Sequence, residues 1–215
     1  DRRNRMVMSQ DGNQRQENAR KWCYSVYDDT NRVTETGEIV LGTDITHEDL
    51  QAAATANENY LPSGTKTPMQ YTVYDNYEST DEVTPHAFTL IQGYATEFNP
   101  TPSGLATSVK TRLLGTDQWQ TLTTYYDSFA RPVQVIRDNM HGKTTRVDTQ
   151  YDFSGNIVKQ AETHVMPDGT GQVLESVNTY DVRGRLLSVT SSLNGGTEAT
   201  VTYTYDEMGR AIAKQ

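Results

Sequence analysis

The chain writes Tyr-Asp at residues 27, 74, 126, 151, 180 and 205, and the last four copies follow one another at intervals of 25, 29 and 25 residues. Periodicity of this length marks a repeat architecture, in which each unit is one supersecondary element packed against its neighbours. The wider intervals of 47 and 52 residues fit a doubled unit or one carrying an insertion. No other feature of the sequence limits the possible folds as strongly.

Each copy follows a physical grammar. Three residues after the aspartate stands Asn4, Asn31, Ala130, Gly155, Gly184 or Gly209. Glycine and asparagine tolerate positive φ most cheaply. Asp28, Asp127, Asp152, Asp181 and Asp206 therefore open type I turns that close through a left-handed residue and a bulge, with the carboxylate accepting backbone N–H groups across the turn. Ala130 is the exception and carries a penalty of about 1 kcal/mol if its φ is positive. Next comes Arg5, Arg32, Arg131, Arg185 or Arg210, replaced by Asn156 in one copy, and then an outgoing strand begins. The incoming strands end in Tyr27, Tyr126, Tyr151, Tyr180 and Tyr205, and these rings are expected to stack with the arginines of neighbouring strands. The opposite ends close on "NMHG" at 139, "PDG" at 167 and "NGG" at 194.

Composition agrees with strands rather than a thick core. Hydrophobic residues make up 34% of the chain, while 13 Tyr and 31 Thr favour pleated surfaces. The expected fold is all-β: a long antiparallel sheet of repeated hairpins, thin, with one or both faces wet. One short helix is expected over residues 46–57, "THEDLQAAATAN", with Thr46 as N-cap and Asp49 in the capping-box position. Residues 1–41 read as loose repeats, 42–104 as a decorated repeat on the same sheet, and 105–215 as regular repeats. Within "DNYESTDE", residues 75–82, the glycine slot is missing. The chain opens in mid-phrase at Asp1, so it is expected to be a piece of a longer protein whose exposed strand edges favour self-association.

Few functional classes survive. A net charge of −9 argues against a nucleic-acid surface, which needs clustered Lys and Arg. No apolar run reaches the length of a membrane span. The lone Cys23 makes no internal disulfide and is expected to be a buried, inert thiol beside Trp22 and Tyr24. His47, His86, His141 and His164 lack any metal-ligand spacing, so no metal or cofactor is expected. Asp75, Glu78, Asp81 and Glu82 cluster in sequence but lack the spaced pattern of a calcium loop. No nucleophile or phosphate-loop motif occurs, and no spacing singles out a carboxylate pair, so no catalytic residue is expected.

Tyr-Asp-x-x-Gly-Arg repeated in this way resembles the Rhs or YD-repeat family, and "KTRLLGTDQWQTLTTYYDSFARPVQVIRDN" followed by "TQYDFSGNIVKQ" resembles the Rhs-repeat proteins of Bacteroidetes. The resemblance covers residues 105–215 well and 1–75 more loosely. It implies a β ribbon that winds into a shell, sometimes enclosing a toxic C-terminal domain, in an exported or cell-surface protein. Two departures stand out: the chain is too short to close a shell, and it has no DPxG-type core motif for self-cleavage. The expected role is thus a non-catalytic scaffold whose partners are the other repeats and domains of its own full-length chain. The alternative is a surface module binding carbohydrate or protein.

Overall fold

A computed structural model describes residues 1–16, 20–42 and 45–215. The strands are β1 (Met8–Ser9), β2 (Lys21–Tyr27), β3 (Val33–Val40), β4 (Thr65–Tyr74), β5 (Ala106–Arg112), β6 (Trp119–Tyr126), β7 (Pro132–Asp138), β8 (Thr144–Tyr151), β9 (Ile157–Val165), β10 (Gly171–Tyr180), β11 (Leu186–Leu193), β12 (Ala199–Tyr205) and β13 (Ala211–Lys214). Hydrogen bonding follows chain order throughout these thirteen strands, so every strand pairs with its sequence neighbours. One helix, α1 (His47–Ala56), interrupts the series. Two compact units divide the chain: residues 1–73, 79–84 and 108–120, and residues 74–78, 85–107 and 121–215.

In the first unit, alternation along β2 directs Trp22, Tyr24 and Val26 to one face, where they meet Ile39, Leu41 and the helix residue Leu50. Tyr24 lies opposite Gly37 of β3. A Cβ at Gly37 would stand 2.5 Å from the Thr67 carbonyl oxygen and 2.8 Å from the Tyr24 ring, so only glycine lets the ring lie across the strand. The helix begins where Thr46 Oγ1 accepts the Asp49 N–H and Asp49 returns the bond to the Thr46 N–H, a complete capping box. Cys23 departs from expectation. It occupies the odd position between Trp22 and Tyr24, so the same alternation turns it away from the core, and it is exposed with Gln14 Nε2 3.1 Å from its sulfur.

In the second unit, Tyr125, Val133 and Ile136 form the core together with Tyr77, Phe88 and Phe98. Residues 85–98 lie across the face that carries Thr123, Gln134 and Asp148. His86 donates its N–H to Thr123 Oγ1 (2.9 Å), and Tyr125 donates its hydroxyl to the His86 carbonyl (2.5 Å). The buried Gln134 exchanges two hydrogen bonds with the backbone of Thr89 and donates to Asp148, which Arg146 also engages. These polar groups survive burial because each is paired. Farther along, no residue beyond Ala161 is buried among the described residues, and β10 to β13 form a sheet wetted on both faces.

Candidate functional site: a clasp between successive turns

The six slot residues take positive φ: 60° at Asn4, 68° at Asn31, 64° at Ala130, 89° at Gly155, 76° at Gly184 and 80° at Gly209. Around each, the bonding repeats almost atom for atom. The N–H of Asp181 donates to the Arg185 carbonyl (2.9 Å) and the N–H of Gly184 to the Asp181 carbonyl (2.9 Å). Asp181 Oδ1 accepts the N–H groups of Arg183 and Arg185, while Oδ2 accepts Arg185 Nε at 2.6 Å. Asp28, Asp127 and Asp206 are held by Arg32, Arg131 and Arg210 in the same way, and Asn156 substitutes its amide at Asp152. The bulge leaves Tyr180 opposite Leu186.

These bonds set the electrostatics. At Asp28 and Asp127 partial burial pushes the carboxyl up, but the backbone N–H and guanidinium of the following arginine outweigh it, bringing Asp28 to about 2 and Asp127 below its ordinary value. The Asn156 amide lowers Asp152, and the backbone N–H of Arg185 and of Arg210 lowers Asp181 and Asp206. Burial raises the Tyr151 and Tyr126 phenols. Each shift moves its group away from neutrality, the carboxyls downward and the phenols upward. The arrangement holds chain to chain.

The arginine also reaches the next copy. Arg5, Arg131 and Arg185 place their guanidinium carbons 4.6, 4.6 and 4.8 Å from the ring centres of Tyr27, Tyr151 and Tyr205. Arg131 additionally donates to the Asp152 carbonyl (3.2 Å). In return, each tyrosine hydroxyl donates to the carbonyl of the residue after the arginine slot: Tyr27 to Met6, Tyr151 to Pro132, Tyr180 to Ile157 and Tyr205 to Leu186, all at 2.7 to 2.9 Å. Guanidinium on ring and hydroxyl on carbonyl together clasp one turn to the next.

The glycine slot missing from residues 75–82 is Gly104. The Asp75 N–H donates to the Leu105 carbonyl, and Asp75 Oδ1 accepts the Gly104 N–H (2.6 Å), with φ +81° at Gly104. Residues 76–103 therefore stand where the other turns have two residues, and Tyr126 bonds the Ala106 carbonyl just as its counterparts do. Sequence reasoning missed this because it sought the glycine three residues on. The signal was the "PSGL" at 102–105, in which glycine precedes a strand. It also missed Asn139, which caps the opposite-side turn by accepting the N–H groups of His141 and Lys143 and donating to the Val165 carbonyl.

The four histidines are scattered. His47 stacks on Trp22, His86 sits 3.4 Å from Asp138, His141 lies in a turn, and His164 bonds Thr145. Among the described residues no three His, Cys, Asp or Glu side chains are placed to hold a metal ion. Among the described residues no helix is long and apolar enough to cross a membrane.

Residues 180–214 match the RHS repeat family. The matched segment spans the Asp181 and Asp206 turns and the Arg185–Tyr205 clasp, whose geometry recurs at Arg5–Tyr27 and Arg131–Tyr151. Among solved structures, the crystal structure of TcdB2-TccC3-Cdc42 is similar over 89% of this chain, with a TM-score of 0.44 and 14% identity. The chain spans only 9% of the length of that protein. No curated protein matches the chain.

Proposed function

We propose that the whole chain is an array of RHS repeats serving as a non-catalytic structural segment of a larger exported or cell-surface protein of the kind seen in Bacteroidetes. Its work is to present or enclose other domains, such as a C-terminal toxin, and its partners are the neighbouring repeats and domains of the same full-length chain. The observation that supports this reading is the clasp. The recurring aspartates are consumed in closing their own turns, and Arg5, Arg131 and Arg185 in joining one turn to the next. An array bonded in this way derives its stability from nearest-neighbour interfaces.

Hydrogen exchange on the Arg185→Ala variant tests it. In an array, exchange accelerates in β10 to β13 and stays unchanged in β6 to β8. Acceleration spread evenly over the chain would mean a single cooperative domain and would count against the array. The carrier role is tested on the full-length protein, where limited proteolysis should leave the enclosed domain intact. Its immediate digestion would remove that role.

A further inference from the structure

In the first unit an open groove lies between the segment leading into β1 and helix α1. It has two lobes that share Met8, Trp22 and His47. One lobe, of about 540 Å³, runs along Leu50, Ala54 and Tyr60 toward Arg2. The other, of about 550 Å³, runs past Leu41 toward Arg15 and Arg20. Each is within the size range of small-molecule sites. Where they meet, the His47 ring stacks on Trp22 at 6.3 Å and 24°.

The charge of the groove opposes that of the molecule. The chain carries −9, yet among the described lining residues the one carboxylate is that of Asp1, which is shut from solvent and already bonded to Arg5. Arg3 and Arg5 are spent on Glu58 and Asp1. Arg2, Arg15 and Arg20 are in no ion pair among the described residues, and they bracket the groove at its two ends. Three guanidinium groups without an acidic partner among the described residues, one of them (Arg15) also donating to the Gln10 carbonyl at 3.3 Å, fit a ligand with apolar ring faces and carboxylates at intervals.

We propose that this groove binds an acidic oligosaccharide, a chain of sugar rings bearing carboxylates. Trp22 and Tyr60 supply flat surfaces for the C–H faces of the rings. Arg2 at one end and Arg20 at the other offer planar forks that match carboxylates two-fold. Both lobes open to solvent, so a chain longer than one ring can pass through. An acidic peptide shares the charge, but it is better served by an edge of free backbone donors and acceptors than by an aromatic floor.

The test uses the 215-residue chain with Trp119→Phe, so that fluorescence reports Trp22. Titration with a galacturonate trimer should give a saturable change, at least tenfold weaker with a neutral glucose trimer and weakened by added salt. The surface variant Arg2→Gln/Arg15→Gln/Arg20→Gln should melt like the parent and bind at least tenfold more weakly. Equal response to the neutral trimer, an equal response to sulfate alone, tighter binding of a glutamate peptide, or undiminished binding by the triple variant would each overturn the proposal.

Discussion

Replacing Arg131 with alanine separates the two jobs of the repeat arginine, because Arg210 provides an internal control. Both side chains close their own turn on an aspartate, Asp127 or Asp206. Only Arg131 also lies on a following ring, Tyr151 at 4.6 Å, and donates to the Asp152 carbonyl at 3.2 Å. Its side chain is 27% exposed, against 72% for Arg210. The guanidinium–ring contact contributes about 0.5–1 kcal/mol. The bond to the carbonyl adds about 1 kcal/mol, and the screened pair with Asp127 about 0.5–1 kcal/mol. Arg131→Ala should thus lose roughly 2–3 kcal/mol in urea unfolding. Arg210→Ala should lose less than half as much in the same assay. Arg131→Lys should fall between them, since an ammonium keeps the charge but loses the fork and the stack. Equal losses at 131 and 210 would show that the reach to the next turn contributes nothing, and the clasp would be a by-product of turn closure.

Other perturbations probe other features. Gly37→Ala forces a methyl to within 2.5 Å of the Thr67 carbonyl and should lower stability by about 1–3 kcal/mol, read as a fall in melting temperature; an unchanged value would mean β3 and β4 separate freely. Ala130→Gly relieves a left-handed alanine and should gain up to about 1 kcal/mol, whereas Gly184→Val should lose about 1–3 kcal/mol; opposite signs would refute the strain argument. Low pH should also destabilise the chain. Asp28 is held at about 2 against an ordinary 3.8, so its ionised form stabilises the fold fully above 3.8 and loses that contribution as pH falls through 2. With solvent screening this is about 1 kcal/mol, and the other turn aspartates move in the same direction. Melting curves from pH 6 to 2 should show a progressive fall, and Asp28→Asn should close its gap to the parent near pH 2; a gap that stays constant would rule out ionisation as the source.

Strands and turns were legible because their signals are local. Tyr-Asp-x-x-Gly holds everything its turn needs within five residues, and the helix at 46–57 announces itself by Thr46 and Asp49. The interrupted turn was not legible, because the partner of Asp75 stands 29 positions away and only folding brings Gly104 to it. Cys23 was misjudged for a related reason: hydrophobic neighbours suggested burial, while strand alternation placed them on the opposite face from the thiol. The groove around Trp22 could not be read from the sequence at all. Its arginines and its aromatic floor come from separate elements, and that Arg2, Arg15 and Arg20 have no acidic partner among the described residues is a fact of packing.

The turn at Asp75 has a practical meaning. Its two ends stay within one hydrogen bond of each other, although twenty-eight residues leave and return between them. The entropy of closing a longer loop rises only logarithmically, and here the hairpin itself holds the gate shut. The Asp75 turn thus holds twenty-eight residues without opening, and a folded passenger with adjacent termini is expected to be accepted in the same way at another turn of the series. Phe153 and Ser154, exposed at the tip between Asp152 and Gly155, mark a ready place for such a graft.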